Sequence, residues 1–345
     1  MSTTNQRKHD HLRTFASDPA IERGRHYFDA IWLAHRALPE IALADVDPSI
    51  EFLGKRLSFP LLISSMTGGS AKIFRTINRN LALAAEAEGI ALGVGSQRVM
   101  FSEPAAAESF ALRRYAPTVP LLANLGAVQL NYGFGLKECR AAVDVLKADA
   151  LILHLNPLQE TIQFEGNTNF RGLAAKIGAI ARRLGRPVLV KEVGAGLSLA
   201  DGRLLVKQGI KFLDVAGTGG TSWSRIEHQR RTAADAADDL GLVFQDWGLP
   251  TPLALVALRP LRSKATLIAS GGIRSGVDMA KAVILGANLC GGAAPFLKPA
   301  QESADAVRAI IRRFRREFTT AMFLLGCRTV VGMRGNERLL IAPPA

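Results

Sequence analysis

Between residues 59 and 297 one unit recurs eight times: a short apolar run, a turn rich in Gly, Asn or Ser, then apolar residues at helical spacing. The apolar runs fall at 61–65, 90–94, 120–124, 150–155, 187–192, 212–216, 266–270 and 288–292. Runs this short and this uniformly apolar suit parallel strands covered on both faces. Helical periodicity marks the stretches 73–88, 136–147, 173–184 and 277–285 between them. Strands alternating with helices give an α/β fold, and eight such units match a (β/α)8 barrel. A doubly wound open sheet is the alternative, but the chain shows no evident reversal of strand order. The whole of 1–345 reads as one barrel domain. An N-terminal extension covers 1–58, the barrel strands 59–297, and a C-terminal helix and tail 298–345.

A barrel places chemistry at the carboxyl ends of its strands. The ends here read Ser64-Ser65-Met66-Thr67-Gly68-Gly69, Gly95-Ser96-Gln97-Arg98, Asn124, His154 to Glu160, Lys191-Glu192, Gly217 to Trp223, Ser270-Gly271-Gly272-Ile273-Arg274 and Gly291-Gly292-Ala293-Ala294. Polar and small residues therefore gather at one mouth. Alternation puts His154 and Asn156 on the same face of their strand, and Pro157, which cannot donate a ladder hydrogen bond, ends it. Gln159 and Glu160 follow on the exit loop. Gly271-Gly272 and Gly291-Gly292 follow the last two strands, where barrels commonly bind phosphate, and the helix after Arg274 adds a positive N-terminus. Lys191 needs an anionic partner inside a barrel mouth. That partner is a neighbouring carboxylate, a phosphate or the N1 side of a flavin, and Glu192 points to the opposite face.

Outside the barrel, 18–32 reads as a helix, and 302–325 as an amphipathic helix carrying Arg312-Arg313-Phe314-Arg315-Arg316. Arg7-Lys8-His9-Asp10-His11 offers a donor fork and a mobile point charge suited to phosphate, although composition alone reads it as a basic tail. The mixed-charge stretch 224–248 is long for a connection in such units and reads as a lid or partner-facing insertion. The formal charge of +13 admits nucleic acid, anionic lipid or anionic small molecules as partners. The basic residues are dispersed and no stacking-aromatic pattern accompanies them, so nucleic acid is disfavoured. No apolar run is long enough to span a membrane, no secretory signal is evident, and the three cysteines lie far apart. A reducing cytoplasm is the expected location.

Taken together, Arg7-Lys8-x-Asp10-His11, Met66-Thr67-Gly68-Gly69, His154-Leu155-Asn156-Pro157-Leu158-Gln159-Glu160 and Ser270-Gly271-Gly272-Ile273-Arg274-Ser275-Gly276 resemble the type 2, FMN-dependent isopentenyl-diphosphate isomerase family. The last motif is shared with many FMN barrels; the others are more particular. The resemblance runs from Arg7 to about Leu297. It implies that Ser65, Met66, Thr67, Ser96, Asn124, Lys191 and Thr221 contact FMN, and that Gly272, Ile273, Arg274, Ala293 and Ala294 hold its phosphate. It further implies that Arg7, Lys8, Ser96, Gln97, Arg98, His154, Asn156 and Gln159 bind the substrate, isopentenyl or dimethylallyl diphosphate. Glu160 would bind Mg²⁺, which fits a cation held by one carboxylate with substrate phosphates and water. Ala216 and Ala294 depart from the usual Ser and Gly of such relatives. The implied assembly is a homotetramer or homo-octamer.

The implied reaction shifts a double bond by adding one proton and removing another. An alkene is a very weak base, so an ordinary side-chain acid protonates it poorly. Reduced FMN is the expected acid and base at N5, with NADPH needed only to reduce it. His154, Gln159 through water, and Glu227 are the alternative proton carriers, and Trp223 is placed to flank a cation. The rival readings are another FMN-dependent barrel oxidoreductase and a basic nucleic-acid-binding protein.

Overall fold

The computed structural model describes residues 3–66, 68–230 and 238–341. Eight parallel strands close into one barrel: β1 (Leu61–Ile63), β2 (Ala91–Gly93), β3 (Leu121–Gly126), β4 (Ala150–His154), β5 (Val188–Lys191), β6 (Phe212–Asp214), β7 (Thr266–Ser270) and β8 (Leu289–Gly292). β8 closes on β1 through the pairs Cys290 with Leu61 and Gly292 with Ile63. Each expected strand is present, and the helices Lys72–Glu88, Leu136–Leu146, Leu173–Arg183 and Gly276–Ile284 occupy the periodic stretches between them.

Alternation builds the interior in layers. Leu62, Ala91, Leu122, Ile152, Leu189, Phe212, Ile268 and Leu289, one from each strand, form an apolar plug. A hairpin of Ile50–Phe52 and Lys55–Leu57 adds Phe52 and Leu57 to it and seals the amino end, with Phe52 edge-on to Phe212. Two residues further along each strand the same face carries Ser64, Gly93, Asn124, His154, Lys191, Asp214, Ser270 and Gly291,. The core therefore turns polar within one layer, and that layer is the floor of the carboxyl-end mouth.

The expected helix over 18–32 is not there. Asp18 ends a helix over Thr3–Ser17 and caps a single turn, Pro19–Ile21; a second turn, Tyr27–Ala30, leads into a strand, Trp32–Leu33, that pairs antiparallel with Leu340–Ile341. Pro19 lacks the N–H that would continue the first helix. The basic segment is thus helical rather than a loose tail, and Leu12 and Phe15 pack on the core. The strand pair ties the C-terminal residues to the N-terminal extension and gives the stretch before Ala342 a structural role. Of the proposed insertion, residues 231–237 lie outside the described residues; the rest includes the helices Trp223–Gln229 and Leu240–Val243.

Candidate active site

A cavity of about 500 Å³ opens at the carboxyl ends of the strands, within the range of roughly 300–1,000 Å³ usual for ligand sites. Ser64, Asn124, His154, Lys191, Ser270 and Gly291 form its floor, and the helix Thr3–Ser17 covers it with Arg7, Lys8, His11, Leu12 and Phe15. The loops after β6, β7 and β8 complete the wall with Gly219, Gly220, Gly271, Gly272, Gly292 and Ala293. These loops touch backbone to backbone. A Cβ on Gly271, at φ +93, would lie 2.0 Å from the Gly217 carbonyl oxygen, so only glycine permits that corner,.

On the β4 side, Pro157 starts a short helix, Pro157–Ile162, instead of the expected loop, which places Gln159 and Glu160 on one rigid turn. A chain of polar contacts fixes every side chain there. The Glu227 carboxylate accepts from Gln159 Nε2 at 2.7 Å, Gln159 Oε1 accepts from Asn156 Nδ2 at 3.0 Å, and Glu160 accepts from Asn156 Nδ2 at 3.0 Å and from the Asn167 N–H at 2.6 Å. Because Glu227 can only accept, the Gln159 amide is oriented, and Asn156 is oriented in turn. Both Asn156 N–H groups are thereby used, and its buried Oδ1 has no hydrogen-bond partner.

His154 Nδ1 lies 2.8 Å from Asn124 Oδ1, and Asn124 Nδ2 donates to the Val94 carbonyl, so His154 donates from Nδ1 and keeps Nε2 as an acceptor. Burial, with Lys191, Lys8, Arg7 and Arg98 nearby, depresses its pKa to about 3. Neutral imidazole is therefore the resting form. Lys8 is brought down to about 7, by burial first and then by Arg7, with Glu227 opposing and Arg98 adding to the drop.

Among the expected site residues, Arg7, Lys8, Ser65, Met66, Ser96, Arg98, Asn124, His154, Asn156, Gln159, Glu160, Lys191, Thr221, Gly272, Ile273, Arg274, Ala293 and Ala294 all line the cavity. Thr67 lies outside the described residues. Two expectations need correction. Gln97 is fully buried behind the wall: its Nε2 donates to the Ala142 carbonyl at 2.9 Å and its Oε1 accepts from the Asn124 N–H at 3.0 Å, so it braces β3 and has no free polar atom for substrate. Glu227 stands on the helix Trp223–Gln229, not a loop, and behind Gln159 rather than on the cavity surface. Burial disfavours its charge, but His11, Arg230 and Gln159 more than offset this and hold its pKa near 2. In the fold its contacts are to His11, Gln159 and Arg230. Arg274 reaches the cavity, yet its guanidinium is paired with Asp29 at 2.6 Å and Asp278 at 3.1 Å. The Thr221 hydroxyl is given to Glu22. His11, Glu22, Gln129 and Gln163 line the cavity without having been expected there. The spacing of Lys8, His11, Leu12 and Phe15 is that of one helical face and was the available signal for His11.

The profile of the FMN-dependent dehydrogenase family matches residues 3–118 and 141–337. The isopentenyl-diphosphate delta-isomerase of Paracoccus zeaxanthinifaciens is 60% identical over 97% of this chain and 96% of its own. That of Hydrogenovibrio crunogenus is 54% identical over 99% of both chains. The chain belongs to the FMN-dependent isopentenyl-diphosphate delta-isomerase family. Solved structures share only the fold: a flavocytochrome b2 variant with sulfite bound (TM-score 0.69, 17% identity, 96% of this chain and 82% of that one) and a mandelate oxidase variant with an FMN adduct (TM-score 0.64, 20% identity, 90% and 88%).

The residues present fit the isomerase family's flavin. Buried hydroxyls of Ser64 and Ser65 have no hydrogen-bond partner, Lys191 supplies a cation on the floor, and the glycine corners admit close backbone approach to an anion. The donor set also fits Mg²⁺. Among the described residues no cluster of three or more His, Cys, Asp or Glu could hold a metal unaided, so Glu160 and the orphan Asn156 Oδ1 would need phosphate oxygens to complete a shell,. Among the described residues no helix is long and apolar enough to cross a membrane.

Proposed function

We propose that this isomerase interconverts isopentenyl diphosphate and dimethylallyl diphosphate by a proton shift without net redox change. The observation that carries the reading is a single cavity with a polar floor around Lys191 and a separate cationic mouth of Arg7, Lys8 and Arg98 beside Glu160. FMN, reduced by NADPH, supplies when bound an electron-rich face and an exchangeable N5 proton. Ser65, Met66, Ser96, Asn124 and Lys191 would hold its ring. Backbone at Gly272, Ile273, Ala293 and Ala294 would hold its phosphate, since the Arg274 side chain is already paired.

The chain's own part is binding, orientation and exclusion of water. Arg7, Lys8 and Arg98 would take the diphosphate and Glu160 its Mg²⁺. The five-carbon tail would lie against Leu12, Phe15, Trp223, Ile226 and Leu297, an apolar wall that keeps water from a developing tertiary cation,. The Trp223 ring can face that cation. His154, neutral, would accept a hydrogen bond at Nε2 rather than deliver a proton. The Gln159 amide, held at both ends, would orient substrate or water. Assembly as a homotetramer or homo-octamer and a cytoplasmic location go with this reading.

The test is an absorption spectrum before and after dithionite, followed by turnover. The expected result is a bound flavin, activity only after reduction, and no stoichiometric use of reductant. Oxidation of a 2-hydroxy acid by oxygen, with no isomerisation, would replace this reading with that of an FMN oxidase.

A further inference from the structure

The ring of side chains on the cavity floor contains one cation and one anion, on neighbouring strands. Lys191 of β5 and Asp214 of β6 are register partners. Two residues earlier, Leu189 and Phe212 pack in the apolar plug, so alternation turns both charges into the barrel,. Lys191 lines the cavity; Asp214 is fully buried beside it. Asp214 Oδ1 accepts from the Ser270 hydroxyl at 2.6 Å and the Ala216 N–H at 3.2 Å, while Oδ2 has no hydrogen-bond partner. A buried carboxylate with one bare oxygen is strongly unfavourable unless a cation balances it.

Among the remaining groups around Lys191, Glu192 is the other carboxylate that feels its charge, and Lys191 Nζ donates to the Glu192 carbonyl. His154 on β4 is neutral. Glu192 Oε1, like Asp214 Oδ2, is buried without a hydrogen-bond partner, but its Oε2 accepts from the N–H groups of Val193, Gly194, Ala195 and Gly196, which steady that carboxylate apart from Lys191. Lys8, Arg7 and Arg98 at the mouth share the sign of Lys191. Ser270, Ser64 and Gly291 on β7, β1 and β8 carry no charge. Burial raises the Asp214 carboxyl above its ordinary range, and Lys191 is the first of the groups that oppose this, followed by Ser270 and Ala216.

We infer that Asp214 is the counter-charge that keeps Lys191 an ammonium on the cavity floor, and so sets how strongly the site favours reduced, anionic FMN. The inference rests on the proposed seating of FMN against Lys191. Asp214 is a positioning residue: it acts through Lys191 and touches neither cofactor nor substrate.

The experiment is the two-electron potential of bound FMN from pH 6 to 9, in wild type and Asp214→Asn. With Lys191 charged in both redox states, two electrons and one proton convert the oxidised ring to its reduced anion. The ratio of reduced to oxidised flavin then falls tenfold per pH unit, about 30 mV. Without Asp214 the ammonium loses its proton in the oxidised protein as pH rises and regains it on reduction. The ratio then falls a hundredfold per pH unit, about 60 mV. Asp214→Glu should restore the shallow slope. A shallow slope in Asp214→Asn overturns the inference. Should that variant fail to fold, Asp214→Ser, smaller and still able to bond Ser270, carries the same slope test. Lys191→Met separates the two layers of the argument. An unchanged potential at pH 7 in that variant would remove FMN from Lys191 altogether. A lowered potential there, with a wild-type slope in Asp214→Asn, would sink the role of Asp214 alone.

Discussion

Lys8 should make substrate capture depend on pH in a range where free lysine does not titrate. Its pKa is brought down to about 7, through burial and the charge of Arg7, Glu227 opposing and Arg98 adding. A diphosphate brings negative charge into the mouth and favours the ammonium, so binding and protonation are linked. In the free protein the charged fraction of Lys8 falls about tenfold from pH 6 to pH 8, which is about 1.4 kcal/mol of lost binding at saturating linkage. The fall stops when the whole contact is gone. A charge-assisted hydrogen bond is worth roughly 1.5–3 kcal/mol, so kcat/KM should drop between about 10- and 150-fold before it levels off above pH 8 to 9. The assay is the initial rate at limiting isopentenyl diphosphate, with pre-reduced FMN, from pH 6 to 9. Titration of the substrate or the flavin would tilt the profile as well, and Lys8→Arg separates these effects because a guanidinium stays charged throughout. The ratio of wild type to Lys8→Arg should therefore fall with rising pH. A ratio constant across that range would refute the argument.

Three further outcomes follow from the geometry. Glu160→Gln should raise the half-saturating Mg²⁺ concentration at least tenfold in a rate titration, and an unchanged titration would remove Glu160 from the metal. Glu227 has its pKa held from 4.5 down to about 2 against the cost of burial, by His11, Arg230 and Gln159, which corresponds to about 3 kcal/mol of folding stability. For a lowered carboxyl this stability is present above pH 4.5 and is lost as pH falls through 2. Glu227→Gln should therefore lower the denaturant midpoint at neutral pH, with the two proteins converging in acid; equal midpoints at pH 7 would contradict the pairing. Gly271→Ala places a Cβ 2.0 Å from the Gly217 carbonyl at φ +93. It should abolish FMN retention through gel filtration, and a wild-type flavin-to-protein ratio would show that the corner can yield.

The barrel was legible because its signal repeats: eight apolar runs, each with a polar strand end, constrain one another. The floor was partly legible for the same reason, since alternation from Leu122, Ile152 and Leu189 leads to Asn124, His154 and Lys191. What escaped was set by contacts between distant segments. Gln97 belongs to a polar strand end, but its partners, Ala142 and Asn124, are backbone groups that only the folded chain brings near. Glu227 looks like a free acid in sequence and is saturated by His11, Gln159 and Arg230 in the fold. The N-terminal helix was missed because its short apolar face, Leu12 and Phe15, is stabilised by the barrel it covers rather than by its own periodicity,.

The electrostatics of the cavity argue for a division of labour that no single residue shows. Burial, then Lys191, Lys8, Arg7 and Arg98, strips the proton of His154, and burial with Arg7 and Arg98 lowers the pKa of Lys8. A site built to protonate substrate from an imidazolium would do the reverse and place carboxylates beside it. Here Glu227 is turned away to hold Gln159, and Glu160 is tied to Asn156 and Asn167. At the mouth Glu227 offsets only part of the shift of Lys8, and Glu160 and Glu165 only part of that of Arg98, while at the floor Glu192 and Asp214 lie in the field of Lys191. On the proposed function, a diphosphate would relieve the excess at the mouth and an electron-rich ring would lie over Lys191 at the floor. Arrival of the diphosphate should also raise the pKa of His154, because its depressors Arg7, Lys8 and Arg98 would then be paired, leaving burial and Lys191 to keep the ring neutral. On the proposed function, the chain's charges would hold ligands, and proton delivery would fall to a bound group rather than to its own acids.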